Sequence, residues 1–315
     1  MRTFYSSVCL LSLLLIISQS YSQISKEDNK FPVLKGSYLG QKPPGMTPEI
    51  FAPGIVSTNH FELNSVFSSD GSIFLFAREI SDDVVKMFSV KKNAGVWEKP
   101  KTVDFPKPYD NMDPLDMILS LDDKTLYFIS SHPTSAFNDK SVNIWSSTWD
   151  GKNWLAPQIL PSPVNSDSNE VYPFFVADGS MYLSSNRPGG FGDKDVYKIF
   201  NDNGSFTKTI NLGPAVNTEF LEGDTYVSPD EKFLIVSSRG RPDSKGSTDL
   251  YISYKKPDGT WSNAENMGEP INSEHSDFCP MISPDEKYFF FSRNGDIYWV
   301  NAKVLDQYKP STVTH

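Results

Sequence analysis

Cysteine and histidine are scarce in this sequence, which has two cysteines and four histidines among 315 residues. One cysteine, Cys9, lies in an apolar stretch near the N-terminus, so a chain without that stretch keeps only Cys279 and cannot form an intrachain disulfide. Stability must then come from packing, and a chain of this length can bury a sizeable core. The same scarcity excludes a clustered cysteine and histidine metal motif.

Helical periodicity, basic runs and catalytic signatures are also missing. No segment after residue 23 has the period of an amphipathic helix, which favours an all-β chain. The formal net charge of −10 and the lack of a Lys/Arg-rich run argue against nucleic acid or an anionic membrane surface as a partner. The sequence has no Gly-x-Ser-x-Gly elbow, His-Glu-x-x-His motif or Walker loop, so it does not point to those hydrolase classes.

The chain ends differ in composition from the rest. Residues 1–22 have a basic Arg2, an apolar core and a small-x-small site, a pattern typical of a secretory signal peptide. The apolar run is too short to span a bilayer, so no membrane span is expected after cleavage. Residues 23–45 are polar and rich in Pro and Gly, which predicts a linker or cover. We expect one domain over residues 46–304 and a frayed tail over 305–315.

A turn with the pattern Ser-x-Asp or Ala-Asp-Gly recurs five times. The intervals between successive turn aspartates are 52, 56, 52 and 55 residues, and the aspartates are Asp70, Asp122, Asp178, Asp230 and Asp285. An aromatic-rich strand follows each turn, then a loop and a further strand, and four units close with a hairpin of Gly-x-Trp type. A repeat of this length with about four strands per unit is typical of a β-propeller blade.

The predicted fold is a single all-β propeller, with five blades of four antiparallel strands. The piece Met46–Ser57 resembles the end of a blade, and the fifth unit lacks an outer strand. We therefore expect Glu49–Ile55 to complete the last blade and close the ring, which removes open sheet edges. The alternative is six blades, with a degenerate one built from residues 24–58.

At this point the chain resembles the TolB-type, WD40-like β-propeller repeats of bacterial envelope proteins. The segment Glu170–Tyr197 matches the repeat almost throughout, whereas Ser228–Ser238 and Ser283–Ser292 match its turn and following strand. The resemblance covers roughly residues 45–302. It implies a periplasmic or secreted protein of a Gram-negative bacterium, and a setting in polysaccharide use. It does not fix a function, because such repeats serve as scaffolds, binding modules and occasional enzymes.

Acidic residues recur in the loops that lead into the first strand of each blade. Glu62, Glu170, Glu222 and Asp277 lie eight residues before their turn aspartates, and Asp113 lies nine before Asp122. A second position, two residues later in four blades and three later in the second, is occupied by Asn64, Asp116, Tyr172, Asp224 and Cys279. Spacing by two predicts that both positions lie on one side of the strand. A ring of about five carboxylates at the channel mouth is expected.

Basic residues recur after the second strand. They are Arg78, Arg187, Arg239 and Arg293, with His132 in the second blade and an additional Arg241 in the fourth. Two interpretations stay open. Each arginine could pair with a leading-loop acid, or the arginines and Asp113 could bind an anionic or hydroxylated ligand at the channel mouth.

Other residue types suggest further sites. His60 and His275 lie ten residues before their turn aspartates in blades that ring closure makes neighbours, so they are candidates for a divalent metal or for proton transfer. No cofactor is otherwise indicated. The tryptophans are interpreted as packing residues, and Cys279 as a buried small side chain rather than a nucleophile.

Two functional hypotheses follow. The first is a non-catalytic propeller that binds a carbohydrate or an envelope protein on its channel-mouth face. The second is a glycoside hydrolase or polysaccharide lyase with Glu62, Glu170, Glu222 and Asp277 as acid/base candidates. A hydrolytic carboxylate pair should be about 5 to 5.5 Å apart for retention or about 6.5 to 9.5 Å apart for inversion.

Overall fold

The computed structural model describes residues 31–82, 84–137 and 141–310. The expected signal peptide, residues 1–22, lies outside this part of the chain. The strands are, in chain order, β1 Leu34–Lys35, β2 Glu49–Ile50, β3 Glu62–Phe67, β4 Ile73–Ser81, β5 Val84–Asn93, β6 Val96–Trp97, β7 Lys101–Thr102, β8 Leu115–Leu119, β9 Thr125–Ser130, β10 Asn143–Thr148, β11 Gln158–Ile159, β12 Glu170–Phe175, β13 Met181–Ser185, β14 Asp195–Asp202, β15 Ser205–Asn211, β16 Leu221–Val227, β17 Phe233–Arg239, β18 Thr248–Tyr254, β19 Glu265–Asn266, β20 Asp277–Ile282, β21 Tyr288–Arg293 and β22 Asp296–Asn301. Three short 3-10 segments span Tyr38–Gly40, Tyr109–Asn111 and Ala302–Tyr308.

These strands form the five blades of a propeller. The second, third and fourth blades are consecutive antiparallel sheets, β8–β11, β12–β15 and β16–β19. The first blade consists of β3, β4, β5 and β7, and the short strands β6 and β1 extend it. The prediction of five blades of antiparallel strands is confirmed. The six-blade alternative is wrong, because β1 joins the first blade and β2 joins the fifth.

The ring closes through the N-terminal strand as expected. Strand β2 is antiparallel to β22, with Glu49 opposite Trp299 and Ile50 opposite Tyr298. Just beyond β2, the backbone N–H of Phe51 donates to Ile297 O at 2.8 Å, and the Phe51 ring is fully buried. The last blade therefore takes its outer strand from the start of the chain, and packing within the core holds that strand in place.

The recurring turn sequence has a hydrogen-bonding reason. In the first turn, Ser68 Oγ donates to Asp70 Oδ1 at 2.7 Å and accepts the N–H of Ile73 at 2.9 Å. In the second turn, Ser120 Oγ bonds Asp122 and the N–H of Thr125 in the same way. A short side chain that satisfies its own turn favours a tight connection between two strands. This chemistry places the turns on one face of the disc, here called the lower face; the leading loops lie on the opposite, upper face.

Most of the core lies between adjacent blades. Trp97, Trp145, Trp261 and Trp299 are buried there, whereas Trp149 and Trp154 are only partly buried. The two chain ends differ from expectation. Residues 34–35 of the expected linker pair with Val96–Trp97, and Leu305 of the expected tail is buried in the Ala302–Tyr308 segment. No described helix is long and apolar enough to cross a membrane.

Candidate functional site

A β-bulge interrupts the first strand of every blade at the same place. The pairing register shifts between Leu63 and Val66 in the first blade and at the equivalent point in the other four. Four of the bulge residues are non-glycine residues with positive φ, namely Asn64 (60°), Asp116 (47°), Tyr172 (56°) and Cys279 (51°). Such angles are uncommon for these residue types, and a bulge re-aims the side chain.

The bulge separates the two positions that the sequence predicted to share one side of the strand, so that prediction is wrong. The first-position acids lie at the blade junctions with arginine partners. The second-position residues line a cavity of about 30 Å³ in the channel; these residues are Asn64, Asp116, Tyr172, Asp224 and Cys279. Ile118, Phe174 and Met281 lie between this cavity and an apolar depression on the lower face. The channel therefore has room for water or an ion, but not for a sugar ring.

Three channel residues form a compact donor cluster. Ligand atoms of Asp116, Asp224 and Cys279 all lie within 4.8 Å of one another, and all three residues are buried. The Cys279 thiol donates to Asp224 Oδ1 at 3.1 Å, and Ser237 Oγ donates to Asp224 Oδ2 at 3.1 Å. Gly223 allows this approach, because a Cβ there would lie 2.6 Å from Ser237 Oγ.

Burial perturbs the acid–base properties of this cluster. It raises the pKa of Asp116, and the nearby charge of Asp224 adds to the effect. Burial also raises the pKa values of Asp224 and of the Cys279 thiol. The charge of Asp224, followed by burial, raises the pKa of the Tyr172 hydroxyl. Ionised oxygens are costly at this place unless a cation or a proton compensates them.

The four leading-loop acids each form a buried ion pair within their own blade. The pairs are Arg78–Glu62 at 2.7 Å, Arg187–Glu170 at 3.1 Å, Arg241–Glu222 at 3.0 Å and Arg293–Asp277 at 2.6 Å. All four acidic side chains have no exposed surface, and each arginine side chain is at most 14% exposed. Burial raises the pKa of Asp277, against the opposing effect of Arg293.

Each ion pair belongs to a larger network at the blade junction. In the third blade, Ser166 donates to Glu170 through its N–H at 2.9 Å and its hydroxyl at 2.6 Å. Arg187 Nη2 also donates to Val164 O at 2.8 Å, and its guanidinium lies 5.1 Å from the Tyr197 ring centroid. The same pattern of donors recurs around Glu62, Glu222 and Asp277. These networks link the leading loop to the second strand.

Sequence reasoning missed a third component of the junctions. Buried asparagines accept a backbone N–H and donate to the C=O of one residue on the third strand: Asn165 on Ile144, Asn217 on Val196 and Asn272 on Leu250. Ser57 takes this place on Ile297 in the fifth blade. The signal was present, because each of these residues lies five positions before the paired acid.

The remaining candidate residues are exposed or lie apart from the pairs. Asp113 is 55% exposed and 3.6 Å from Lys86, and His132 in the same blade contacts the Tyr109 and Trp145 rings. Arg239 is exposed and makes no ion pair with the described residues. His60 and His275 are exposed, and neither belongs to the donor cluster of the channel.

Exposed aromatic side chains occupy the upper face. Phe61 is 41% exposed and is stacked near Phe278 of the fifth blade, with ring centroids 6.4 Å apart. Phe191, in the glycine-rich loop of the third blade, is 51% exposed. Hydrophobic aromatic surface of this kind is enriched at protein interfaces.

A lateral groove lies between the first and second blades. Its volume is about 370 Å³, and its walls include Lys91, Lys101, Trp149, Lys152 and Trp154. The Trp149 and Trp154 rings meet edge to face at 5.2 Å, and Lys91 Nζ lies 4.3 Å from the Trp149 ring centroid. Part of the tryptophan surface is thus available, which differs from the expectation of simple packing.

Comparisons with known proteins leave the family unassigned. No model of a known protein family matches the chain. No curated protein matches it either. Among solved structures, the chain is similar to a protein assigned as TolB from Agrobacterium tumefaciens, at 18% identity and a TM-score of 0.48 over 75% of this chain and 71% of that one. A gluconolactonase from Xanthomonas campestris gives 11%, 0.49, 85% and 96%, and a thermostable family-43 glycoside hydrolase gives 14%, 0.49, 78% and 90%. At these values the likenesses carry no functional argument.

Proposed function

We propose that this chain is an extracytoplasmic, non-catalytic propeller that binds a partner protein of the cell envelope on its upper face. One observation carries the proposal: the four acids best placed for acid–base chemistry have no exposed surface and are paired with arginine. A general acid or base must reach the substrate within hydrogen-bond distance. We therefore assign Glu62, Glu170, Glu222 and Asp277 to holding the blades together.

The shape of the upper face favours a protein over a small ligand. Small-molecule sites are concave, with volumes of about 300 to 1,000 Å³. The channel cavity that lies beneath the upper face has a volume of about 30 Å³. Phe61 and Phe191 remain exposed there, together with the unpaired Arg239. Aromatic and arginine side chains around a shallow surface suit a protein interface. The location outside the cytoplasm rests on the signal-like text of residues 1–22.

Site-specific photocrosslinking in the native cells tests this proposal. A photoreactive residue at position 191 on the upper face should give a discrete protein adduct, whereas one at Leu121 on the lower face should not. Leu121 is 56% exposed and makes a matched control. The adduct must be reproduced with the purified partner and weakened by Phe61→Ala. Equal crosslinking at both positions, or none at position 191, would refute the upper face as the interface. Glycan cleavage that Glu170→Gln abolishes would refute the non-catalytic assignment.

Carbohydrate binding is a second candidate, and the lateral groove favours it. Partly exposed Trp149 and Trp154 offer apolar ring surface, while Lys91, Lys101 and Lys152 offer charge for acidic groups. Lys101 is also 2.7 Å from Glu98, so its charge is partly compensated. A groove of this composition fits a short segment of a uronate-bearing or sulfated glycan.

Thermal unfolding with neutral, uronate-bearing and sulfated oligosaccharides tests the groove. A ligand at one hundred times its dissociation constant adds about 2.7 kcal/mol to the free energy of unfolding and raises the midpoint temperature. The shift should occur with acidic oligosaccharides and disappear in Trp154→Ala. Leu155→Ala, a neighbouring residue that is 46% exposed and outside the groove wall, should retain it. If no acidic oligosaccharide shifts the midpoint, the carbohydrate candidate is refuted.

A further inference from the structure

The five bulge positions share a backbone shape but not a residue type. At the junctions every ion-paired position repeats an acid and an arginine, as expected of residues that maintain a repeated architecture. The channel positions instead hold Asn64, Asp116, Tyr172, Asp224 and Cys279. The bulge accounts for the backbone at these positions, but it does not require this polar set of side chains. The choice of residues therefore calls for an explanation of its own.

The channel set is a group of metal-type donors from different blades. Asp116, Asp224 and Cys279 come from the second, fourth and fifth blades, and their ligand atoms lie within 4.8 Å of one another. Among the residues that the structure describes, this is the one such group of three or more His, Cys, Asp or Glu side chains. Asn64 of the first blade lines the same cavity. A single ion in the cavity would contact four of the five blades.

Two buried polar atoms beside the cluster lack protein partners. Asn64 Oδ1 and Ser65 Oγ are both buried without a hydrogen bond to any described residue. Ser65 is only 1% exposed and, like Asn64, forms part of the cavity wall. Buried polar atoms are normally satisfied, so unpaired oxygens at a cavity point to something that occupies it. These oxygens are independent of the three cluster residues.

The donor chemistry and spacing select the kind of ion. Oxygen ligands alone suit magnesium, calcium or manganese, whereas a thiolate among them favours zinc. Zinc binds sulfur at about 2.3 Å and carboxylate oxygen at about 2.0 to 2.2 Å, so tetrahedral donors lie about 3.6 Å apart. Cys279 Sγ and Asp224 Oδ1 are 3.1 Å apart, and the whole group spans at most 4.8 Å. Side-chain shifts of an ångström or less would complete such a shell.

We propose that Asp116, Asp224 and Cys279, with Asn64 Oδ1 as the fourth donor, bind one zinc-type divalent cation in the channel. On binding, the Cys279 thiol releases its proton to solvent and its sulfur takes the ion. The ion compensates the two buried carboxylates, whose pKa values burial raises. It fastens the blades at their centre, where no disulfide is available because Cys279 is the one cysteine among the described residues. The site is separate from the upper-face interface and does not depend on it.

Cobalt titration of the full chain in a Cys9→Ser background tests the site, since Cys279 is then the sole thiol. We expect one equivalent of Co²⁺ to produce a thiolate-to-cobalt charge-transfer band that Zn²⁺ displaces. Zn²⁺ should also raise the midpoint of thermal unfolding. Cys279→Ala should abolish the band, and Asp116→Asn and Asp224→Asn should each weaken binding more than tenfold. Asp110→Asn, an exposed carboxylate in the same blade, should leave both unchanged.

The outcomes discriminate among explanations. Cobalt held by exposed His60 or His275 would give no thiolate band and would persist in Cys279→Ala, which overturns the proposal. A shift with Ca²⁺ but not Zn²⁺ would overturn the role of the thiol. Absence of any bound metal in the unsubstituted chain would mean that the two aspartates share a proton instead. That last result requires no variant, so it decides the matter even if Cys279→Ala fails to fold.

Discussion

Arg241 Nη2 lies 3.0 Å from Glu222 Oε1, although the sequence offset of the other three arginines is matched by Arg239. Arg239 sits opposite Thr248 and Leu221 in the sheet and is exposed. Gly240, between the two, has φ of +98° and packs against Phe220. This backbone angle favours glycine and reverses the chain, so that the following residue returns to the carboxylate.

The two arginines of the fourth blade should differ sharply in their effect on stability. Arg241→Ala leaves Glu222 buried without its cation, which should lower the free energy of unfolding by about 3 to 5 kcal/mol. Arg239→Ala changes an exposed side chain and should stay within about 0.5 kcal/mol. Urea unfolding of both variants measures the difference. Comparable losses in the two would contradict the assignment of the pair.

The asparagine at each junction should be a distinct source of stability. Asn217→Ala removes the partner of the Val196 N–H and C=O, which lie 2.8 and 3.0 Å from the side chain. Buried backbone groups left unpaired should cost about 1 to 3 kcal/mol. Asn263→Ala, at an exposed position, is the control and should be neutral. Denaturant unfolding would count against this role if both variants matched the parent chain.

Ring closure should depend on Phe51. Its ring centroid lies 5.3 Å from Phe74, 5.2 Å from Phe290 and 5.1 Å from Trp299, which joins the first and last blades. Phe51→Ala should lower the free energy of unfolding by about 3 to 5 kcal/mol because it leaves a cavity. Met46→Ala, at a residue that is 51% exposed, should have little effect. A Phe51→Ala chain that unfolds like the parent would show that closure does not rely on this contact.

The turn aspartates should make the protein less stable in acid. The hydroxyl of Ser120, followed by the N–H of Lys124, holds the pKa of Asp122 below its ordinary value, and the other four turn aspartates also have lowered pKa values. A lowered folded-state pKa stabilises the protein above the unfolded value of about 3.9, and this contribution is lost as the pH falls through the folded value.

Asp122→Asn therefore should destabilise the chain at pH 7, and the difference from the parent should narrow toward pH 3. Urea unfolding at both pH values measures the change, with Asp110→Asn as a control at an exposed acid in the same blade. A difference that widens in acid would contradict the sign of the shift.

Much of the junction chemistry was predictable, because it repeats along the chain. Glu62, Glu170, Glu222 and Asp277 have a fixed offset from the turns, and pairing with arginine was one of the two interpretations open from sequence. The second blade departs from the pattern, since Pro114 holds the place of the acid and His132 that of the arginine. Whether Asp113, Arg239, His60 and His275 bind a ligand stays a prediction.

The sequence alone determined the five-blade propeller and its closure by residues 49–50, because turn chemistry and strand patterning are local and recur every 52 to 56 residues. Only the tertiary structure decided which side chains meet in the channel. Asp116, Asp224 and Cys279 are separated by 108 and 55 residues in sequence, yet their ligand atoms lie within 4.8 Å. Closing the ring brings the first strands together, and the bulge turns one side chain of each toward the axis, a direction that strand periodicity does not reveal.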